Sequence, residues 1–301
     1  MLNAVKLIER LKFNRPRRAF ANKDVLRSKF AARLRYWWKD PLAPAEVKAI
    51  GSLINKRVMR QYIRTLGIDL PEIYFDVASL REIDFANLPD AVVIKPSNGS
   101  NSDGVMLIAG EAELLSGVTI PRAKLREFCE RVLASTPRAA ERILVEEFLR
   151  DYDPRFVIPR DFKVHVAGGR AWVIQVIDRN PPKGQRNHSF YTREWDKIED
   201  PFLTAYRPGP PVPRPALLPE LLEFAELIAR DTGVFLRLDF YLTTRGVVFG
   251  EFTADPASGI GFTSFGEQYL CELMDCFPDA IPEGWSCDGR HRVRVLPCLH
   301  R

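Results

Sequence analysis

No apolar run in this chain reaches the roughly 18 residues that a membrane span needs. The first eleven residues are broken by Lys6, Glu9 and Arg10, where a secretory signal would hold an unbroken apolar stretch. Cysteine is sparse and poorly placed for cross-linking: Cys129, Cys271, Cys276, Cys287 and Cys298 are odd in number and contain no C-x-x-C pair, which argues against a disulfide framework. The set Cys287, His291, Cys298 and His300 matches no common zinc spacing. Also missing are the G-K-[ST] of a P-loop, a G-x-S-x-G elbow or catalytic Cys/His signature, internal repeats and low-complexity tracts. These absences exclude a membrane protein, a disulfide-stapled domain, a P-loop NTPase and a serine hydrolase. A reducing cytoplasm is the expected compartment.

What is present is ordinary globular material: 301 residues, 46% hydrophobic and 28% charged, enough to bury a core in one or two domains. The net charge of +5 conceals an asymmetry. Residues 1–64 carry 17 Lys/Arg against 4 Asp/Glu, leaving 27 against 35 for the remainder, so a front of +13 precedes a body of −8. Such a front either lines a solvated helix face or meets an anionic partner; a phospholipid surface or acidic polysaccharide is expected before nucleic acid. If it meets a membrane, the protein is peripheral at the inner face.

Hydrophobic periodicity places helical pieces in residues 1–50 and a strong amphipathic helix over 48–66 that stops at Gly67. Short β-rich runs follow at 73–77, 91–94 and 105–108, then a helix over 121–133 and a strand over 143–148. Two hairpins are expected: 161–166 with 170–177 around Gly168-Gly169, and 235–242 with 247–252 turning at Thr244-Arg245-Gly246. Between them lies a helix over 217–232. Residues 180–215 are rich in Pro, Gly, Arg and Asn and read as a long loop or crossover of the kind that is usually functional or mobile.

Chemistry concentrates in three places. Lys95 stands at a strand edge before the Gly/Ser/Asn loop 97–104, whose amides could close over phosphate oxygens or which could be a plain hairpin turn. The run Leu144-Val145-Glu146-Glu147-Phe148-Leu149 is an apolar strand end able to present backbone to an adenine edge under apolar cover, or simply an edge strand. Asp239 and Glu251 lie on neighbouring strands of one hairpin. There they can share a hard cation, since magnesium bridging to phosphates needs only one or two protein carboxylates. Arg186-Asn187-His188 either orients an anionic substrate or forms a solvated turn.

In this order and spacing the segments resemble the ATP-grasp superfamily, and specifically its TupA-like family, linked to teichuronopeptide and other cell-surface polymer biosynthesis. Asn55-Lys56-Arg57, residues 158–163, 189–195, 237–241 and 249–253, and Ser258-Gly259 also carry the likeness, which covers about residues 50–270. The resemblance implies an α+β ATP-grasp fold, two α+β subdomains with mainly antiparallel sheets clasping ATP. The expected divisions are a basic helical segment 1–50, a subdomain with the phosphate loop over 51–145, a subdomain with adenine and metal site over 146–280, and a tail 281–301.

By resemblance, Lys56 and Lys95 would contact ATP phosphates, with Ser97, Gly99, Ser100, Ser102 and Gly104 in the covering loop. Glu146, Glu147, Phe148 and Leu149 would hold the adenine, and Asp161 the ribose. Lys163 and Arg179 would meet the γ-phosphate or an acyl-phosphate, Arg186 and Asn187 the substrate, and Asp239 and Glu251 would ligate Mg2+. Thr253 stands where many such ligases have Asn, which puts a second magnesium in doubt; Asp255 is the only nearby substitute. The implied activity is ATP-dependent carboxylate–amine ligation through an acyl-phosphate on a small or polymer-linked envelope substrate. The alternative is phosphorylation of a sugar hydroxyl.

Overall fold

The structure is a computed structural model that describes residues 50–98, 102–137, 140–182, 185–254, 256 and 261–276. The expected basic helices before residue 50, the loop residues Gly99 and Ser100, Asp255, Ser258, Gly259 and the tail with Cys287, His291, Cys298 and His300 lie outside the described residues.

The helix expected over 48–66 is interrupted. Ser52–Ile54 form a 3-10 turn, and Asn55 leaves the helical region at φ −70°, ψ 120°. Its side-chain oxygen accepts from the amides of Arg57 and Val58 at 2.9 and 3.4 Å, which starts a fresh helix α1 (Lys56–Thr65). Periodicity is blind to a capping residue inside an amphipathic pattern. Gly67, at φ +70°, lies just beyond the end of α1, as its backbone freedom allows.

A six-stranded sheet follows, built from β1 (Ile73–Val77), β2 (Ala91–Pro96), β3 (Met106–Ala109), β4 (Ala112–Glu113), β5 (Val118–Thr119) and, after α2 (Leu125–Ala134), β6 (Ile143–Glu147). The order is β1-β6-β2-β3-β4-β5 and every pairing is antiparallel. Val92, Ile94, Met106, Ile108 and Val145 bury one face against Leu125 and Cys129 of α2. Burial pushes the Cys129 thiol up to about 12, which leaves it inert.

The second sheet contains β7 (Asp161–Ala167), β8 (Arg170–Ile177), β9 (Asn187–Thr192), β10 (Lys197–Ile198) and β11 (Arg207–Pro208), then, after α3 (Leu218–Thr232), β12 (Leu236–Thr243) and β13 (Gly246–Thr253). Its main order is β10-β9-β8-β7-β12-β13, with β11 alongside β9. The expectation of one long loop over 180–215 is therefore corrected. Asn187–Thr192 is a strand paired with β8 from Val173↔Thr192 to Ile177↔His188. It carries four consecutive buried residues and so no alternation to detect.

One face of this second sheet is apolar. Phe162, Val164, Leu238, Phe240 and Leu242 pack against the stripe Leu218, Leu221, Ala225, Ile228 and Ala229 of α3, which ends at Gly233, φ +66°. Met59, Tyr62 and Ile63 of α1 join the same core, so the first described helix serves the last sheet. Over the other face, α4 (Ser264–Cys276) and Phe202 cover the end near Val173 and Phe190.

Candidate active site

The charges lie on the rest of that face and most are buried: Asp161, Lys163, His165 and Asp239 are each less than a tenth exposed. In β7 the sequence Asp161-Phe162-Lys163-Val164-His165-Val166 alternates strictly, so Asp161, Lys163 and His165 project opposite the α3 core. In β12 the same alternation sends Arg237, Asp239 and Tyr241 to that side. Cross-strand register then aligns Gln175, Lys163, Asp239 and Glu251 in one row across four strands. Glu251 reaches this row through a β-bulge. Phe249 faces the core opposite Phe240, and the register shifts so that Glu251 pairs with Asp239 and Phe252 returns to the core. Gly250 sits at the bulge, where a Cβ would come within 3.1 Å of the Asp239 carbonyl oxygen and the Tyr241 ring.

The buried Asp239 carboxylate accepts from Arg237 Nε at 2.8 Å and Nη2 at 3.0 Å, and from Lys163 Nζ. Burial alone would raise its pKa, but Arg237 and Lys163 overcome it and hold the carboxyl well below the usual range. Arg237 also donates to the Thr253 hydroxyl at 2.8 Å. One step along β7, Asp161 is held by Arg179, with Nη2 and Nε at 2.5 and 2.7 Å, and Lys163 stands 3.9 Å away. The Arg179 guanidinium, held by Asp161, is pushed up. Its Nη1 reaches the Ser102 hydroxyl at 3.4 Å, so the β2–β3 loop touches the second sheet. The Tyr241 phenol is pushed well above its ordinary range by burial and then by Asp161.

From the first sheet, Lys95 forms a 2.6 Å ion pair with the buried Glu146, and Arg60 stands 4.0 Å from the same carboxylate. Lys56 Nζ donates to the Ser97 carbonyl at 3.3 Å. Its ammonium is lowered by burial and by Lys95, against the pull of Glu251 and Glu146, so Lys56 lies in the field of both the loop lysine and the carboxylate row. β2 and β3 do form a hairpin, and its loop also meets Lys56 and Arg179; Gly104 turns there at φ +74°. Phe148 is half-buried and Leu149 buried where β6 ends, and Glu147 is turned toward Arg245 at 2.9 Å.

At the opposite rim, Arg186 is half-buried and donates to the Pro181 carbonyl at 3.4 Å, and Asn187 opens β9. Of the two readings of 186–188, the solvated turn is excluded. His188 is buried, its Nδ1 lies 2.7 Å from the Gln175 amide, and Tyr206 stacks on its ring at 3.7 Å. Burial, Arg179 and Lys163 push His188 down to about 3. Buried His165 is likewise pushed down to about 3, and its Nδ1 has no partner among the described residues. Sequence reasoning assigned no role to Arg237, Gln175, His165, Arg60 or Tyr206; for Arg237 the signal was available, since alternation places it beside Asp239.

No three His, Cys, Asp or Glu side chains cluster tightly enough for an all-protein metal cage among the described residues. The donor set nevertheless fits magnesium. Glu251 is exposed and makes no hydrogen bond or ion pair among the described residues, and Asp239 lies directly across the ladder. One free and one neutralised carboxylate would supply hard oxygens to such a cation. The Thr253 hydroxyl is already occupied by Arg237.

A family model described as TupA-like ATPgrasp matches residues 42–275. No curated protein matches the chain. Among solved structures, D-alanine–D-alanine ligase from Bacillus anthracis complexed with ATP is similar at 14% identity over 76% of this chain and 60% of that one, with TM-score 0.43. D-alanine–D-alanine ligase from Helicobacter pylori is similar at 18% identity over 83% and 69%, with TM-score 0.46. ATP-grasp ligase PsnB complexed with precursor peptide PsnA2 and AMPPNP is similar at 14% identity over 82% and 65%, with TM-score 0.43. The chain thus spans 60% of the length of the first of these. No helix among the described residues is long and apolar enough to cross a membrane.

Proposed function

The chain belongs to the TupA-like ATP-grasp family, and from that membership we propose that it is an ATP-dependent carboxylate–amine ligase acting on an envelope polymer or its precursor. The observation that carries this reading is the row Lys163–Asp239–Glu251, flanked by Asp161 and Arg179 and faced by Lys56 and Lys95. Phosphoryl transfer asks a protein for positioning and for cations around a triply charged group, with acids to hold the metal, and little else.

In this reading the β2–β3 loop, Lys56 and Lys95 bind the nucleotide phosphates, and the strand end Glu146–Leu149 borders the base. Asp239 and Glu251 would hold the magnesium ion, whose charge would then be available to neutralise the transferred group. A carboxylate oxygen of the acceptor attacks the γ-phosphorus, the bond to the bridging oxygen breaks, and ADP leaves. Lys163 and Arg179 compensate the charge on the acyl-phosphate. An amine then attacks the acyl carbon, loses a proton and expels phosphate. His188, neutral and fixed by Gln175 and Tyr206, borders the acceptor side beside Arg186. The basic front, +13 over residues 1–64, recruits the enzyme to an anionic lipid surface or acidic polysaccharide, which places the reaction on the cytoplasmic side, where ATP is supplied.

The test is product analysis with ATP, magnesium and candidate carboxylates, with and without an amine. Phosphate release that requires the amine supports ligation. Phosphate retained on a sugar hydroxyl would replace this reading with a kinase, and absence of ATP binding would remove both.

A further inference from the structure

Arg245 occupies the two-residue turn between β12 and β13, at the edge of the second sheet, and its guanidinium reaches the first. Nη1 lies 2.6 Å from Asp69, and Nη2 lies 3.1 Å from the Leu70 carbonyl and 2.9 Å from Glu147 Oε2. The same Glu147 oxygen accepts from the Glu72 amide at 3.1 Å, and the Glu147 amide donates to the Glu72 carbonyl at 2.9 Å. Backbone bonds run in parallel: Phe249 N to Asp69 O at 2.9 Å, Tyr152 N to Leu242 O at 3.1 Å and Thr244 N to Arg150 O at 3.3 Å. Three stretches of chain, 69–72, 147–152 and 242–249, therefore meet at one point, where Arg245, itself in the third, ties it to the other two.

We propose that Arg245 is a positioning residue, a latch that fixes the end of β6 relative to the second sheet and so shapes the base-side wall of the nucleotide cleft. Single exposed ion pairs contribute little to stability. A planar guanidinium with three acceptors instead fixes direction, because its donors are rigidly arranged and the acceptors lie on two separate stretches of chain, Asp69 and Leu70 on one and Glu147 on the other. The segment that must keep its shape is the one after Glu147, where β6 leaves the first sheet and Phe148 and Leu149 follow. Arg245 and the Thr244–Arg150 bond hold that segment at both ends. This inference rests on the ATP-binding reading for its purpose, though not for the contact itself.

The experiment uses the full chain with Arg245→Ala, Arg245→Lys and Asp69→Asn, read by amide hydrogen exchange without nucleotide and by calorimetric titration of Mg-ATP. A latch predicts severalfold faster exchange in 69–74 and 147–152 for Arg245→Ala. It also predicts ATP binding weakened about tenfold, as misplacement of a binding wall does, with Arg245→Lys intermediate because it keeps the charge and loses the fork. Asp69→Asn separates the latch from a long-range charge effect: removing a negative charge would tighten ATP electrostatically, whereas loosening the latch weakens it. Unchanged exchange in Arg245→Ala, or faster exchange with wild-type ATP affinity, or tighter binding by Asp69→Asn would overturn the proposal. A wild-type chain that binds no ATP would overturn the proposed function, and the exchange data would still decide the latch.

Discussion

Asp239 and Glu251 stand opposite one another in the β12–β13 ladder, the first buried with both oxygens engaged by Arg237 and Lys163, the second exposed and free of partners among the described residues. Two acids of one row thus have opposite structural costs.

That difference separates two substitutions. Glu251→Gln removes a charged ligand from an exposed position, so kcat for ATP-dependent phosphate release should fall roughly a hundredfold, while circular dichroism and the unfolding midpoint stay near wild type. Asp239→Asn leaves Arg237 and Lys163 uncompensated beneath the surface and should cost about 3 kcal/mol of stability in urea titration as well as activity. Equal stability of the two variants would show that Asp239 is not the electrostatic keystone of the face.

Lys95 and Glu146 allow stability and binding to be pulled apart. Lys95→Met should weaken ATP about tenfold, the loss expected for one charge-assisted hydrogen bond, and should also destabilise the fold by leaving the Glu146 carboxylate buried and poorly paired. Adding Glu146→Gln should restore the midpoint without restoring affinity. Recovery of both by the double variant would assign Lys95 to structure alone.

Acid should loosen the second sheet before it touches the carboxylates. His165 and His188 are held neutral down to about pH 3, against an ordinary value of 6.5. Between those values the unfolded chain binds protons that the folded chain does not, so stability is complete above pH 6.5 and declines as pH falls toward 3. At pH 5 the loss should be about 2 kcal/mol at most for each histidine. Urea titrations at pH 7 and pH 5 measure it, and His188→Gln should flatten the slope by about half.

The basic front makes a salt-sensitive claim. Cosedimentation with vesicles containing anionic lipid, or with an acidic polysaccharide, should be strong at low ionic strength, fade toward 0.5 M salt, where the Debye length falls to about 4 Å, and vanish on deletion of residues 1–40. Binding that survives the deletion would place the anionic contact elsewhere.

What the sequence discloses of this fold follows from how far its signals are local. Strict alternation in residues 161–166 and 236–243 marks both the strands and the side on which Asp161, Lys163 and Asp239 project, and the run 73–77 coincides with β1. β9 was illegible because its residues are buried on both sides and their partner strand supplies the reason. The break at Asn55 was illegible because one capping side chain outweighs an otherwise continuous amphipathic period. Partners across the cleft cannot be read at all from spacing: Arg245 and Glu147 are 98 residues apart, and the pairing of Arg179 with Asp161 depends on a hairpin register. Asp239 and Glu251 stand out by chemistry, Lys163 and Arg179 by resemblance, and the ion pairs that join cations to acids come from geometry.

A β-strand sorts its residues by parity, and Gly250 is the uneven member that resets the count in β13. Ahead of it the odd-numbered Val247 and Phe249 belong to the interior; after it Glu251, also odd, belongs to the cleft and the even Phe252 to the interior. Which residue faces the charged row is therefore a matter of arithmetic as much as of side-chain type. Were the ladder to run on from residues 246–249 with Gly250 in place and no bulge, Glu251 would turn into the hydrocarbon layer and Phe252 toward the charged row, whereas deleting Gly250 would remove the bulge with its extra residue and leave both where they are. Where the bulge falls, and not the number of residues in the strand, sets the face that each side chain takes.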